Sequence, residues 1–239
     1  MAKKEYKTTF DQLVTDLLSG KSFYDLIDWQ RFVKKESTAF IVVDAMNSVL
    51  HKDGNLNVLG TWKVAEDMGL IQNIKNIVAA CRKKEIPVFW VRQAYLEGGK
   101  DLLPGSYFEA LYGYLRTAVP DLMLEGAWSS EIVDELKAII GPKDIVITKR
   151  AMSSFEGTDL QTYLGYMGIK TIIVCGCVCD QCFESTIRSG CDRGYLTVAV
   201  SDASAAGTID ATTQTCQRIG LMMGPVLATK GVVSLINSL

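Results

Sequence analysis

Histidine is almost absent from this chain of 239 residues: His51 is the only one. Structural zinc sites are built mainly from cysteine and histidine side chains at close spacing. The chain has one Cys-x-x-Cys pair, Cys179 with Cys182, but no second pair and no histidine at ligand spacing. A structural zinc site is therefore not expected.

The chain also lacks an excess of charge and any long apolar run. It carries 25 Lys and Arg against 27 Asp and Glu, a formal net charge of −2, so no basic field attracts nucleic acid or an anionic membrane. We find no run of about 18 apolar residues and no apolar N-terminal stretch of the signal-peptide type. The sequence predicts a soluble cytoplasmic protein with neither a nucleic-acid nor a membrane partner.

Cysteine is not scarce, but its pattern excludes a disulfide framework. The seven cysteines are Cys81, Cys175, Cys177, Cys179, Cys182, Cys191 and Cys216. An odd number in a long chain fits poorly with a disulfide-stabilised secreted domain. Alternation of Cys175, Cys177 and Cys179 along an extended segment is typical of small buried side chains. A thioredoxin-like redox role for Cys179 and Cys182 stays open, because the pair follows a predicted strand and begins a predicted helix.

Hydrophobic residues, by contrast, make up 48% of the chain and fall into short apolar runs. Such continuous runs are typical of strands buried on both faces of a parallel sheet. We predict strands at 39–44, 88–91, 145–148, 171–174 and 196–200, with a last short strand at 226–227 or 232–233. Predicted helices occupy 63–84, about 128–140, 158–167, about 182–193 and about 209–221. The alternation predicts an α/β fold, a three-layer α/β/α sandwich with a mostly parallel sheet of about six strands.

An N-terminal helical arm is predicted to precede this domain. Its first helix is indicated by apolar residues at helical spacing, followed by Gly20 as a stop, and these are Phe10, Leu13, Val14, Leu17 and Leu18. We place the arm at 1–37 and the main domain at 38–239. The arm is expected to pack on the domain or on a neighbouring subunit.

Three reactive side chains lie at or just beyond the ends of predicted strands. Asp44 ends the first strand, Lys149 follows the third, and Cys182 follows the fourth across a sharp turn at Gly176. The carboxyl ends of parallel strands converge on one crevice, and a helix N-terminus there favours a thiolate and can hold an oxyanion. Each residue also has an ordinary structural interpretation: a helix cap, a solvated strand end and a buried core residue.

Three sequence blocks resemble the isochorismatase-like cysteine hydrolase family, which includes N-carbamoylsarcosine amidases and ureido and biuret amidohydrolases. The blocks are 41–47, 147–160 and 174–203, and the resemblance covers about residues 38–233. It implies a parallel sheet with helices on both faces and makes 38–239 an isochorismatase-like hydrolase domain. It also implies a catalytic triad of Asp44, Lys149 and Cys182, and a cis peptide bond between Cys177 and Val178.

The same resemblance implies a mechanism and an assembly. The thiolate of Cys182 attacks an amide carbonyl, and the backbone N–H groups of Val178 and Cys182 hold the oxyanion. Zinc-dependent members carry an Asp-x-His pair just after the first strand, whereas this chain has Asn47-Ser48-Val49-Leu50-His51 there. We therefore expect no metal and no cofactor. Homodimers or homotetramers are usual in the family.

The implied function is hydrolysis of a C–N bond in a small linear amide or ureido compound through a thioester. Two alternatives stay open: an isochorismatase-type vinyl-ether hydrolase, and a catalytically silent binding protein on the same fold. For the substrate pocket we predict six residues, namely Asn47, Trp62, Arg92, Tyr107, Phe155 and Cys177. The aromatic segment 93–125 is expected to form a wall or lid. Family members that bind carboxylated ureido substrates often have an arginine shortly after the strand leading to Asp202, and this chain has none at 203–207. A carboxylate clamp is therefore not expected at that position, and Arg92, Arg150 and Arg218 stay candidates for one.

Overall fold

The structure is a computed structural model and describes residues 10–19, 21–102 and 104–239. The first nine residues of the predicted arm, and Gly20, the predicted stop of its first helix, lie outside the described residues. The strands are β1 Thr38–Val43, β2 Val88–Gln93, β3 Ile145–Lys149, β4 Thr171–Cys177, β5 Leu196–Ala205 and β6 Val226–Leu227. They form a six-stranded sheet in the order β3-β2-β1-β4-β5-β6, and every pairing is parallel. Helices flank the sheet on both sides, so the predicted α/β sandwich is confirmed.

Ten α-helices are described: α1 Phe10–Leu18, α2 Asn47–Leu50, α3 Thr61–Met68, α4 Leu70–Lys84, α5 Tyr107–Ala118, α6 Asp134–Lys137, α7 Leu160–Tyr166, α8 Glu184–Asp192, α9 Ile209–Met222 and α10 Thr229–Ser238. A five-residue π-helix, Cys179–Phe183, leads directly into α8. Shorter 3₁₀ turns lie in the arm and the loops. Most helices connect successive strands, as parallel pairing requires.

The central strands form the core because they carry no polar interruption. All six residues of β1 and all seven of β4 are buried, and the two strands pair from Thr38 with Thr171 to Val43 with Gly176. Large aromatic side chains on the sheet, Phe40, Phe89 and Trp90, are inaccessible to solvent. This register brings the carboxyl ends of β1 and β4 side by side, where the candidate site lies.

Two predicted helices differ from the observed ones. The predicted helix 63–84 is divided at Gly69, whose φ of 66° ends α3 while its N–H donates to Ala65 and Glu66 carbonyls. The predicted helix 128–140 is reduced to a 3₁₀ turn at Trp128–Ser130 and to α6. There, backbone pairing with the loop after β1 replaces helical bonds, with Asn47 N donating to Glu131 O at 2.9 Å and Val133 N to Ala45 O at 3.0 Å.

The last strand is β6, and residues 232–233 lie in α10 instead. Val232, Leu235 and Ile236 share the buried face of α10, a three- and four-residue spacing that indicates a helix rather than a strand. Segment 93–125 contains α5, which the sequence analysis did not predict as a helix. In the arm, Trp29 and Val33 join the main core, and the Tyr24 hydroxyl donates to Met222 O at 2.9 Å. The boundary between arm and domain at residue 37 stays a prediction.

Candidate active site

Three side chains from separate elements meet at the carboxyl edge of the sheet. Asp44 directly follows β1, Lys149 is the last residue of β3, and Cys182 lies in the π-helix after β4. Lys149 Nζ lies 2.9 Å from Asp44 Oδ2 and 3.3 Å from Cys182 Sγ. All three residues are buried, and Cys182, at 7% exposed, is the most accessible. Since β2 lies between β3 and β1, the lysine side chain extends past the end of β2 to reach them.

Each of the three N–H donors of the Lys149 ammonium has an acceptor. Its Nζ donates to Ala151 O at 2.8 Å, to Gln93 Oε1 at 3.1 Å and to Cys182 Sγ at 3.3 Å. Asp44 Oδ2, 2.9 Å from Nζ, is its ion-pair partner. Burial alone would lower the pKa of Lys149, but the Asp44 carboxylate and the contact with Cys182 outweigh it and raise that pKa. The lysine is therefore a permanent cation in this site.

Gln93 connects the ammonium to two tyrosines. Because an ammonium cannot accept a hydrogen bond, the Gln93 amide must turn Oε1 toward Lys149 and Nε2 away from it. Nε2 then donates to the hydroxyl oxygens of Tyr95 and, at 3.3 Å, Tyr112. The hydroxyl protons point onward, from Tyr95 to Arg150 O at 3.2 Å and from Tyr112 to Met123 Sδ at 3.4 Å. The positive charge of Lys149 thus determines which group donates in each hydrogen bond of the chain that runs from Lys149 through Gln93 to Tyr95 and Tyr112.

The resting Cys182 side chain is a neutral thiol. Burial and the neighbouring Asp44 charge raise the pKa of Cys182 to about 12, against the opposing effect of Lys149. Burial also raises the pKa of Asp44, and Lys149 counteracts part of that rise. Burial therefore opposes the resting thiolate that a helix N-terminus is expected to favour. Cys182 lies inside the π-helix, where desolvation dominates, so its proton must be removed during a reaction.

Backbone geometry before Cys182 depends on one glycine. Gly176 has a φ of 120°, and a Cβ added there would lie 1.9 Å from Val43 O. Only glycine lets the end of β4 approach the end of β1 this closely. The next peptide bond but one, Cys177–Val178, is cis, as the family resemblance implies. Val178 O then accepts from Gln181 N at 3.0 Å and from Phe183 N at 3.3 Å, which begins the π-helix.

A small cavity of about 50 Å³ opens beside the thiol. It is lined by Asp44, Met46, Val49, Leu56, Leu59, Gln93, Tyr112, Met123, Met152, Val178, Gln181 and Cys182. Tyr112 comes from α5 and Met123 from the loop after it, so segment 93–125 contributes one wall. The cavity is mostly apolar apart from Asp44, Cys182, the hydroxyl of Tyr112 and the amides of Gln93 and Gln181.

None of the six predicted pocket residues lines this cavity. Asn47 is buried and donates to Trp128 O at 2.9 Å, Trp62 lines a separate groove near His51, and Arg92 pairs with Glu131 at 2.7 Å. Tyr107 is 75% exposed on α5, and Phe155 packs against Tyr195 with ring centroids 5.8 Å apart. Cys177 is buried beneath the turn. The structure therefore brings together the three predicted triad residues and Val178, but a different set of pocket residues.

Sequence reasoning missed Gln93, although a signal for it exists. Gln93 is paired with Lys149 at the ends of β2 and β3. Neighbouring residues of a strand point to opposite faces, so Gln93 turns into the buried site while Arg92 turns toward Glu131. Counting one residue further along β2 would have selected Gln93.

The remaining cysteines and His51 do not form a second centre. The Cys179 side chain is hydrogen-bonded to Cys216 of α9, and burial with this contact raises the pKa of Cys179. His51 Nδ1 accepts from Asp53 N at 3.1 Å, and its ring packs edge-on against Trp128. In the described part of the chain, no three His, Cys, Asp or Glu residues are grouped for metal binding. None of the helices described is both long and apolar enough to span a membrane.

Comparison with known proteins gives consistent relatives. The model of the isochorismatase domain family matches residues 38–231. The ureidoacrylate amidohydrolase RutB of Cronobacter sakazakii is 32% identical over 177 residues, covering 71% of this chain and 75% of that protein. RutB of Methylorubrum extorquens is also 32% identical, covering 71% of this chain and 70% of its own.

Solved structures share the fold. A cysteine hydrolase from Pseudomonas syringae pv. phaseolicola matches with a TM-score of 0.73 and 27% identity, covering 86% of this chain and 95% of that one. N-carbamoylsarcosine amidase from Thermoplasma acidophilum matches with a TM-score of 0.63 and 24% identity, covering 81% of this chain and 96% of that one. The second likeness is one of fold alone.

Proposed function

The chain belongs to the isochorismatase domain family, and from this premise we propose that it is a cysteine-dependent amidohydrolase. Its substrates would be small linear amides or ureido compounds, hydrolysed at a C–N bond. Relatives 32% identical to it are ureidoacrylate amidohydrolases by name. The observation that carries the proposal is the buried contact of Lys149 Nζ with both Asp44 Oδ2 and Cys182 Sγ. No metal or cofactor is needed for the chemistry proposed below.

In the first step, Asp44 takes the proton of the Cys182 thiol. Lys149 holds Oδ2 of Asp44, whereas Oδ1 is buried and has no hydrogen-bond partner in the described structure. Oδ1 is therefore the free acceptor for the proton. The raised pKa of the Asp44 carboxyl makes it a better base than an ordinary aspartate. Lys149 then faces the new thiolate and stabilises it by charge.

The thiolate attacks the carbonyl carbon, so a C–S bond forms and the carbonyl oxygen becomes an oxyanion. We assign the oxyanion to the backbone N–H groups of Val178 and Cys182, at the turn that lines the cavity. One such donor typically contributes about 3–4 kcal/mol to the transition state. As the C–N bond breaks, the protonated Asp44 gives its proton to the departing nitrogen, which leaves as ammonia or an amine.

Water completes the cycle. Asp44 accepts a proton from water, the resulting hydroxide equivalent attacks the thioester, and the C–S bond breaks with return of the proton to sulfur. The sum is one amide plus one water giving a carboxylic acid and ammonia or an amine; a carbamoyl group gives ammonia and carbon dioxide. Each proton moves between Asp44, Cys182, substrate and water, and Lys149 stays charged throughout.

The test is ammonia release from a panel of small amides and ureido compounds, including ureidoacrylate and biuret. We expect Cys182→Ala to abolish release, and Cys191→Ser, on the partly exposed side of α8, to retain it. Mass spectrometry of a rapidly quenched reaction should find an acyl group on the peptide containing Cys182. Activity that survives Cys182→Ala would contradict the thiol mechanism. A silent panel would favour the vinyl-ether hydrolase or the non-catalytic alternative.

Three further expectations stay predictions. They are the homodimeric or homotetrameric assembly, the cytoplasmic location and the lack of a cofactor. Light scattering of the purified chain measures the first. Activity after dialysis against a metal chelator measures the last.

A further inference from the structure

The cavity beside Cys182 has an unusual charge lining for an enzyme whose relatives act on ureidoacrylate. Its ionisable lining residues are Asp44, Tyr112 and Cys182, and no lysine or arginine of the described chain lines it. The other lining side chains are two amides and the apolar groups of valine, leucine and methionine residues. The cavity lining therefore has no positive charge that could pair with a carboxylate of a bound substrate.

Lys149 does not fill this role, although it is the nearest cation. Its three N–H donors go to Gln93, Ala151 and Cys182, and its charge is paired with Asp44 Oδ2 at 2.9 Å. A carboxylate could bind it only by displacing one of these partners. Displacement of Asp44 would also break the contact on which the proposed proton transfer depends.

Nearby arginines are committed elsewhere. Arg92 pairs with Glu131 at 2.7 Å, and Arg150 pairs with Asp101 and, at 2.9 Å, with Glu125. Nη1 of Arg150 has no hydrogen-bond partner in the described structure, but Arg150 does not line the cavity. Arg116 of α5 also has a buried nitrogen without a partner there, Nη2. Its guanidinium, however, lies over the Tyr95 ring, 5.9 Å from the centroid, and its Nε donates to Leu122 O at 3.1 Å. Arg116 is not part of the cavity lining.

A carboxylate in this cavity would lose its hydration without gaining a cation and would also face the charge of Asp44. The cavity is also small, about 50 Å³. From these observations, and resting on the proposed amidohydrolase function, we infer that the substrate is a small uncharged amide or ureido compound. Carboxylated ureido acids such as ureidoacrylate are then poor substrates of this chain, in contrast to the RutB relatives named for that compound.

The test uses pairs of compounds of similar length that differ in charge and have one cleavable carbonyl group each. (2-Hydroxyethyl)urea is neutral, and N-carbamoylglycine carries a carboxylate in place of the alcohol; 4-hydroxybutyramide and succinamate form a second pair. We expect kcat/KM for ammonia release to be at least 100-fold higher for the neutral member of each pair. Equal values or a preference for the carboxylate in an enzyme that releases ammonia would overturn the inference alone. Absence of release from these pairs and from the whole amide panel would overturn both it and the proposed function.

A charge-gain variant tests the same point from the protein side. Met152 lines the cavity and is 40% exposed, so it can be replaced by a longer side chain at the cavity mouth. Met152→Arg should shift the ratio of kcat/KM values at least tenfold toward the carboxylated member, whereas Met152→Gln, of similar size but neutral, should not. Equal shifts in the two variants would contradict the electrostatic argument. Circular dichroism of each variant verifies its fold.

Arg116 supplies the last comparison. Arg116→Gln should leave the preference for the neutral member of each pair in place, because the guanidinium lies outside the lining. If the wild-type chain prefers the carboxylate and Arg116→Gln removes that preference, Arg116 is a carboxylate clamp and the inference is wrong.

Discussion

Lys149 Nζ lies 2.9 Å from Asp44 Oδ2, and neither side chain is more than 4% exposed. Removing two charges from water costs several kcal/mol for each ion, and their attraction offsets that cost only while both are present. Each of the two buried charges is therefore stable only while the other is present. Because the same two residues belong to the candidate active site, a substitution of either one should affect both activity and the free energy of unfolding.

Removing the lysine should expose that dependence. We expect Lys149→Met to lower the free energy of unfolding at pH 7 by about 3–5 kcal/mol, because Asp44 is left buried without its counter-ion. The double variant Asp44→Asn with Lys149→Met should recover much of the loss. Urea unfolding followed by circular dichroism measures all three proteins.

The pH dependence of the single variant provides its control. Burial already raises the folded-state pKa of Asp44 above its unfolded value, and the loss of Lys149 raises it further, so the folded variant binds the proton more tightly. Acid therefore favours folding, and the stability deficit should shrink as the pH falls toward the ordinary aspartate range, about 3.9. A deficit that is constant with pH would indicate lost packing rather than an unpaired charge.

The pH dependence of activity should reflect ionisation of Asp44, the proposed base. Burial raises the pKa of Asp44 in the resting protein, and only the ionised carboxylate can accept the thiol proton. We expect kcat/KM to increase with pH on the acid side, with a midpoint above the ordinary aspartate value of about 3.9. A pH profile with an uncharged substrate measures it, since the substrate then adds no titration. A midpoint at or below the ordinary value would argue against Asp44 as the base.

Gln93 and Arg92 are neighbours on β2, but substitutions of the two residues should have very different effects on kcat. Gln93→Leu removes the acceptor of one Lys149 N–H and the donor to both tyrosines, so the ammonium loses its fixed position. We expect kcat to fall about 100-fold, the scale of a small misplacement in an active site, with little change in KM. Arg92→Gln breaks the contacts of the guanidinium with Glu131 and with Ser130 O, both outside the cavity, and should change kcat by less than about threefold.

Tyr112→Phe separates the contribution of the Tyr112 hydroxyl from that of its ring. It preserves the ring of the cavity wall but removes the hydroxyl that accepts from Gln93 Nε2, so an intermediate loss of kcat is expected. If Arg92→Gln were the more damaging of the two β2 variants, the sequence-based choice of Arg92 would be restored and the assignment of Gln93 would fail.

The fold could be predicted from the sequence because it depends on local patterns. Continuous apolar runs identify parallel strands, and the carboxyl ends of such strands lie at one edge of the sheet. Asp44 and Lys149 follow this rule, whereas Cys182 lies five residues beyond the end of β4. The family resemblance was needed to select these three residues, and their roles in catalysis stay proposals.

The pocket could not be predicted in the same way. It depends on which face of α5 is turned toward the cavity and on which of two neighbouring residues of β2 points into it. On α5, Tyr112 is buried at 8% exposure whereas Tyr107 is 75% exposed, since five residues rotate a helix to another face. No helix is predicted for segment 93–125, so its two faces are not distinguished in the sequence. Trp62 lies on α3, which begins at Thr61, and lines a separate groove.

Gly176 and Gly113 form a matched pair for the last prediction. An added methyl at Gly176 would lie 1.9 Å from Val43 O, at a φ of 120° that other residues rarely adopt. We expect Gly176→Ala to lower the free energy of unfolding by about 4 kcal/mol or more. The ends of β1 and β4 would move apart, and Asp44 would move away from the turn before Cys182. Activity should therefore be lost even where the variant remains folded at low temperature.

The control is Gly113, which lies on the exposed side of α5 with no atom within 4 Å of an added methyl. Gly113→Ala should stabilise the helix by up to about 1 kcal/mol. Thermal unfolding and ammonia release measure both variants. A Gly176→Ala protein as stable and as active as Gly113→Ala would show that the close approach of the two strands is not required for the site.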